Sequence, residues 1–283
     1  MKKIGVIGLG IMGGGIASNF LQKGYTTYVW NRTQKVADEY SKKGAIVCGS
    51  PSEVTQKADI VFEVTADDKS SKSVWLGTNG IFSGADANKV LIACATLSID
   101  WINKLIQLSK TKGFTFFDMA MTGGRIGAES GTLTLLCGGD EFKLEKISSV
   151  LKNIATKVIY FGLAGSGMKY KLILNFIQAT HVVAFGQAMK IAKAFNMDVK
   201  KVGDALAERP GGVITALAWR DYLVEPDPIN FSIEWISKDL KYAKKMVNKL
   251  DILLLREVLS EYNKAIKKGY AKKDWASINT LKI

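Results

Sequence analysis

The sequence predicts a two-part architecture. An α/β Rossmann-type N-terminal domain over residues 1–163 is followed by an all-α C-terminal domain over 164–283, joined by a long interdomain helix. Three observations carry this. Short apolar runs alternate with helical patterns up to Phe161, as βαβ units do. A glycine-rich turn stands between the first such run and the first helix. Beyond Phe195 the pattern is helical only, and the stretch Gly165 to Phe195 before it is apolar nearly all round. Such a helix would be about 40 Å long. Its one polar stripe is Lys171, Asn175 and Gln178, spaced to share a face. A lysine and two amides in a buried helix need partners or a task, so the stripe is placed on a cleft between the domains.

In chain order, Lys3 to Leu9 reads as a buried strand. Gly8-Leu9-Gly10-Ile11-Met12-Gly13 follows, then a helix from about Met12 to Lys23 and a strand from Thr26 to Trp30. In that setting Gly8 permits the tight turn, Gly10 lets backbone approach a pyrophosphate, and Gly13 lets helix pack on strand. The helix N-terminus supplies free N–H groups and positive potential. The second strand ends in Asn31-Arg32-Thr33. No carboxylate stands there to hold a ribose 2′-hydroxyl, and a guanidinium can pair with a 2′-phosphate, so NADP(H) is the expected cofactor. Thr33 also suits a helix N-cap.

Ser50-Pro51-Ser52-Glu53 has the form of a capping box with proline at the first helical position. Strands are expected at Ile60 to Val64, Val90 to Ala93 and Phe114 to Met119, with Ser98 capping a helix to Lys112. Ligands of doubly wound sheets sit beyond the carboxyl ends of strands. The loops holding Thr65 and Ala66, Thr96, and Thr122-Gly123-Gly124-Arg125 are therefore expected to wall one crevice. Consecutive glycines can aim backbone N–H groups at an anion such as a carboxylate. Thr132 to Cys137, a helix from Glu141 to Ile154 and a strand from Lys157 to Phe161 close the domain. In the second, Asp198 caps a helix to about Ala207, Arg209-Pro210-Gly211-Gly212 is a break, and Ile233 to Leu250 and Ile252 to Lys268 are amphipathic helices.

Composition bounds the function. The chain has 283 residues, long enough for two cores. Its 3 cysteines, Cys48, Cys94 and Cys137, form no CxxC pair, which argues against a disulfide frame or zinc site and fits a reducing cytoplasm. The expectation is a chain with no signal segment and no membrane partner. The net charge of +13 would draw small anions and a phosphorylated cofactor. The lysines are spread over many helices without a basic arm, which disfavours nucleic acid as a partner. His181 is the only histidine, which disfavours Ser-His-Asp and histidine–metal chemistry.

The motifs fall in a familiar order: Gly8 to Gly13 with Ala17 and Asn19, Thr122-Gly123-Gly124 with Gly131-Thr132-Leu133, Gly165 to Lys171 with Asn175, and Phe231 with Lys238-Asp239-Leu240. Over essentially the whole chain this resembles the β-hydroxyacid dehydrogenase family, of the 3-hydroxyisobutyrate dehydrogenase kind, and most of all its glyoxylate/succinic semialdehyde reductases. The resemblance implies Lys171 as the catalytic lysine and Asn175 as the residue orienting the substrate. It implies Thr122, Gly123 and Gly124 as the substrate-carboxylate loop and Thr96 beside the nicotinamide. It further implies that Phe231, Lys238 and Asp239 of the second domain close over cofactor and substrate, Lys238 on the cofactor side, and that the protein is a homo-dimer or tetramer. Three departures bear on the substrate: Ala120-Met121-Thr122 replaces the usual Pro-Val-Ser, Arg125 stands where a small or apolar residue is common, and Thr65-Ala66-Asp67 replaces a Leu-Pro loop. Arg125 is a candidate reader of a second anionic group. The expected activity is NADP(H)-dependent interconversion of a small carboxylate-bearing aldehyde or keto acid with its hydroxy acid. The alternatives are an imine reductase, a class that generally lacks the lysine, and a non-catalytic NADP-binding or nucleic-acid-associated protein.

Overall fold

The computed structural model describes residues 2–174, 191–208, 224, 225, 227, 229, 232–234, 236, 237, 253–279 and 281. The chain forms two compact units, Met1–Phe176 and Ile177–Ile283.

The first unit is one eight-stranded sheet with helices on its faces. Its elements are β1 (Ile4–Ile7), α1 (Ile11–Gln22), β2 (Thr27–Trp30), α2 (Gln34–Ser41), β3 (Ile46–Val47), α3 (Pro51–Lys57), β4 (Ile60–Glu63), α4 (Asp68–Leu76), α5 (Ile81–Gly84), β5 (Val90–Ala93), α6 (Ile99–Thr111), β6 (Thr115–Thr122), α7 (Gly124–Ser130), β7 (Leu133–Gly138), α8 (Glu141–Leu151) and β8 (Ala155–Tyr160). Residues 166–174 are helical and are called α9. The strand order is β3-β2-β1-β4-β5-β6-β7-β8. All pairs are parallel except β6–β7. The order reverses direction at β1, between β2 and β4, which opens the crevice of a doubly wound sheet at its carboxyl end. β1 and β4 are buried at every position, as strands covered on both faces must be. Two apolar clusters, around Phe20, Phe62 and Phe117 and around Trp75, Trp101 and Leu91, make the core.

Local chemistry sets the boundaries. Ser50 accepts from the Glu53 N–H at 3.1 Å with Pro51 opening α3, as expected. The return half of that box is not made, because the Glu53 carboxylate takes the Gly49 N–H and pairs with Lys57 instead. Ser98 caps α6 through the Trp101 N–H. Thr33 occupies the N-cap position of α2, yet its hydroxyl makes no capping bond. β6 runs on to Thr122, past the expected end at Met119, because antiparallel β7 gives those residues backbone partners, with Thr122 opposite Thr134. The glycine loop then turns at once into α7, where a plain loop was expected. α7 packs on α1: Asn19 donates to the Ala128 carbonyl at 2.8 Å and to its own Gly15 carbonyl at 2.8 Å.

α9 packs one side on the second cluster through Met168, Tyr170 and Leu174, with Tyr170 stacked on Phe161 at 4.1 Å. Leu172 and Ile173 are exposed, so these first turns are not buried all round as expected. The sheet core covers only the Met168 face. The long interdomain helix falls largely on 175–190, outside the described residues.

In the second unit, helix Val199–Glu208 begins where the Asp198 side chain accepts from the Lys200 and Lys201 N–H groups. Helix Leu253–Lys267 and a short 3-10 turn, Trp275–Asn279, follow, with Ser232 bridging to Asp274. Ile233, Tyr262 and Ala265 centre its core. The 209–212 break lies outside the described residues, as does most of the expected 233–250 helix. All three cysteines are free and buried. Among the described residues no helix is long and apolar enough to cross a membrane, and no side-chain group could hold a metal ion.

Candidate active site

A cleft of about 610 Å³ opens at the carboxyl ends of β1, β2 and β4. Its floor is the glycine turn, with Gly8, Gly10, Ile11, Met12 and Gly13 all lining it. The turn is fixed by the sheet: the Gly8 N–H donates to the Trp30 carbonyl at 2.9 Å, and the Val64 N–H to the Ile7 carbonyl at 2.8 Å. Gly8 has φ +96°, and a Cβ there would strike the Val64 carbonyl. At Gly13 a Cβ would strike the Gly8 carbonyl, so helix–strand packing demands this glycine too. Gly10 differs. A Cβ there meets no protein atom within 4 Å, and its φ of −69° suits any residue. The chain's own packing does not require a glycine at 10, whereas close approach of a phosphate does. Gly10 is also the N-cap of α1 and offers no capping side chain, and the first turn of α1 carries no acidic residue. Its N–H groups and the positive end of the helix are therefore left for an anion. The residues present fit a dinucleotide.

The far wall is the end of β2. Asn31, Arg32 and Thr33 line the cleft beside Trp30. The Asn31 carbonyl oxygen of the side chain accepts from the Leu9 N–H at 3.0 Å, and its amide donates to the Thr33 carbonyl at 3.1 Å. Asn31 thus splints the glycine turn to β2, and the Leu9 amide is already used. Arg32 is exposed and meets no counter-ion among the described residues. The opposite wall is Val64, Thr65 and Ala66 with Ser70, Ser73 and Val74 of α4. Asp67 caps α4 in a reciprocal box with Ser70. Beneath this wall lies Glu63, fully buried at the end of β4. It accepts from both the N–H and the hydroxyl of Thr65. Burial pushes its carboxyl above the ordinary range, opposed by the donors around it.

The expected chemical residues stand on other elements. Thr122 ends β6, and Gly123 and Gly124, at φ +123° and +61°, turn the chain in a conformation that favours glycine. Arg125, on α7, pairs with Glu129 at 3.5 Å and lines a second cavity of about 430 Å³ with Ser18, Tyr40 and Lys43. The two cavities share Gly10 and Ile11. Thr96 is exposed in the loop after β5. Lys171 stands half-buried on α9, and burial holds its amine below the ordinary lysine value. No acidic partner for it falls among the described residues. Thr96, Thr122 and Lys171 are not part of the cleft lining. Asn175, Phe231, Lys238 and Asp239 lie outside the described residues. Sequence reasoning missed the buried carboxylates Glu63 and Asp118, although each interrupts an otherwise apolar strand, which is a legible signal.

The glycine turn, the splayed strands and the uncapped helix end define a dinucleotide-binding Rossmann domain. Residues 3–162 match the family described as the NAD binding domain of 6-phosphogluconate dehydrogenase. Residues 165–281 match the one described as NAD-binding of NADP-dependent 3-hydroxyisobutyrate dehydrogenase. The chain belongs to this 6-phosphogluconate/3-hydroxyisobutyrate dehydrogenase family of NAD(P)-binding oxidoreductases. An uncharacterized oxidoreductase of Synechocystis is 31% identical over 249 residues, 87% of this chain and 86% of that protein. The cytokine-like nuclear factor N-PAC of Homo sapiens is 29% identical over 243 residues, 86% of this chain but 44% of N-PAC, so the chain spans less than half of that protein's length. Among solved structures, Mycobacterium tuberculosis 3-hydroxyisobutyrate dehydrogenase with L-serine is 25% identical with a TM-score of 0.68, covering 100% of both chains. An imine reductase from Myxococcus stipitatus in complex with NADP+ is 22% identical with a TM-score of 0.87, covering 98% of this chain and 99% of its own. That second likeness is one of fold.

Proposed function

We propose that this protein is an NADPH-dependent reductase of a small aldehyde or keto acid that carries a carboxylate, with Lys171 as general acid and, in reverse, general base. The observation that carries the reading is a half-buried lysine without a counter-ion among the described residues, at the start of the helix where the family motif expects one. Bound nicotinamide would supply the hydride. The chain's own residues do the rest. Gly8 to Gly13 and the first turn of α1 hold the pyrophosphate, and Arg32 pairs with a 2′-phosphate that no carboxylate at the end of β2 repels. Thr122, Gly123 and Gly124 hold the substrate carboxylate, and Asn175 orients the carbonyl. Lys171 gives a proton to the carbonyl oxygen as carbon is reduced. Its half-burial eases the reverse step, which needs the neutral amine. By the family resemblance Phe231 and Asp239 act on the substrate and Lys238 on the cofactor, and the working form is a cytoplasmic homo-oligomer. Glyoxylate and succinic semialdehyde are the favoured substrates.

Two other readings have specific support. The likeness to imine reductases shares the fold, and Lys171 separates this chain from that class. The likeness to N-PAC, together with the net charge of +13, supports a non-catalytic NADP-binding protein near nucleic acid. The deciding experiment is NADPH oxidation followed at 340 nm over a panel of small semialdehydes and keto acids, with cyclic imines alongside. Rapid turnover of one acid-bearing carbonyl is expected. Turnover of imines alone, or tight NADPH binding with no turnover, would replace this reading by the first or the second rival.

A further inference from the structure

We propose that Asp118 is a positioning residue: its buried carboxylate clamps the first turn of α9 to the strand that delivers Thr122, and so sets where Lys171 stands. The inference rests on the reading of Lys171 as the acid.

Asp118 lies in the middle of β6 between Phe117 and Met119, and all three are fully buried. A carboxylate persists in such a place only where donors satisfy it. Here two do, one for each oxygen. The Gly165 N–H donates to Oδ1 at 2.5 Å, and the Met168 N–H to Oδ2 at 2.7 Å. These belong to the N–H groups that a helix start leaves without intrahelical partners, and the helix end favours a negative charge beside it. Asp118 is thus a cap donated from a distant strand, some fifty positions earlier in the chain. Lys171 follows Met168 by one helical turn.

The same helix start is fastened at two more points. Met168 is fully buried, and its sulfur accepts from the Leu97 N–H at 3.3 Å, next to Thr96. Gly167 rides so close to β7 that a Cβ would strike the Leu136 carbonyl. Asp118 itself has no slack: a Cβ on Gly138, its partner across β6–β7, would stand 2.6 Å from Oδ1. From Asp118, β6 runs four residues to Thr122, a rigid strut of about 13 Å. The Thr96 loop, the Thr122 turn and Lys171 therefore share one anchorage. A change at Asp118 should shift the lysine relative to the other two while leaving the glycine turn of β1–α1 alone.

The test is Asp118→Asn in the full chain. It keeps the shape and one acceptor but sets an amide N–H₂ against a backbone N–H. Active sites are counted by NADPH titration, so loss of folded protein does not count as loss of rate. The expected result is an NADPH Kd within about threefold of the parent and a kcat per site lower by roughly 10–100-fold, the usual effect of a misplacement near 1 Å. Backbone hydrogen exchange over 165–171 should speed up while that over 4–22 does not. Faster exchange with an unchanged kcat per site would overturn the proposal and leave Asp118 a structural cap only, and unchanged exchange and kcat would remove even the cap. Should the variant not fold, exchange in the parent protein decides: the Gly165 and Met168 amides should be as slow as those of β6, and loop-like rates would overturn the proposal. Lys171→Ala is run in parallel. Full activity there would overturn the reading of Lys171, a failure distinct from that of the anchorage, which the exchange rates judge by themselves.

Discussion

Replacing Gly10 by alanine should separate folding from cofactor binding. The added methyl meets no protein atom within 4 Å, and φ is −69°, so neither clash nor backbone strain arises. Two small effects on stability oppose each other. Alanine is a poorer N-cap than glycine by about 1 kcal/mol. It also restricts the unfolded chain, which returns about 0.4–1 kcal/mol. The net change should lie within about 1 kcal/mol, a small shift in the thermal midpoint. Binding should respond quite differently. The methyl holds a pyrophosphate off the turn and weakens one charge-assisted hydrogen bond to backbone N–H, worth about 1.5–3 kcal/mol. That corresponds to about a 10–150-fold rise in the NADPH Kd. Fluorescence titration of NADPH beside a thermal melt reads both quantities on one sample. Gly8→Ala is the contrast, since φ +96° and the Val64 carbonyl predict a damaged fold there. An unchanged Kd in a well-folded Gly10→Ala protein would refute the placing of the pyrophosphate on this turn.

Other expectations follow from the same geometry. Arg32→Glu should weaken NADPH at least tenfold more than NADH, because an exposed guanidinium answers only the 2′-phosphate; equal losses in the two titrations would remove Arg32 from cofactor selection. The pH dependence follows from Lys171, whose amine burial holds below the ordinary lysine value. Reduction needs the ammonium, so its kcat should be flat near neutrality and fall as pH rises through that lowered pKa, while oxidation rises over the same span. Lys171→Arg, which stays charged throughout, should lose the alkaline limb, and an unaltered limb would assign it to another group.

Much of this was legible because the relevant signals are local. Val90 to Ala93 is an apolar run and Ile60 to Val64 is one but for Glu63, as covered strands are, and the structure places strands there. The glycine turn, the Ser50 and Ser98 caps and the switch from strand to helix alternation are likewise written in adjacent residues. Long-range partners were not legible. Asn31 lines the cleft as a cofactor ligand would, and its amide also holds the Leu9 and Thr33 backbone, a pairing fixed by how β1 and β2 align. The loops expected around Thr65-Ala66 and over Thr122 to Arg125 run directly into helices α4 and α7. Asp67 caps a helix, and Gly124 begins one against α1. Asp118 and Glu63 show the limit most plainly. An apolar strand interrupted by one carboxylate announces a buried acid, but only the fold shows that its donors are the start of the lysine helix in one case and the Thr65 wall in the other.

The central claim is that Lys171 moves the proton. The measurement that tests it most directly is single-turnover NADPH oxidation by the parent protein and Lys171→Ala, with each first shown by titration to bind NADPH. The expected result is equal Kd values within about threefold and a rate in the variant lower by at least about 100-fold, the scale of a lost general acid. A variant that binds NADPH and turns over at the parent's rate would contradict it.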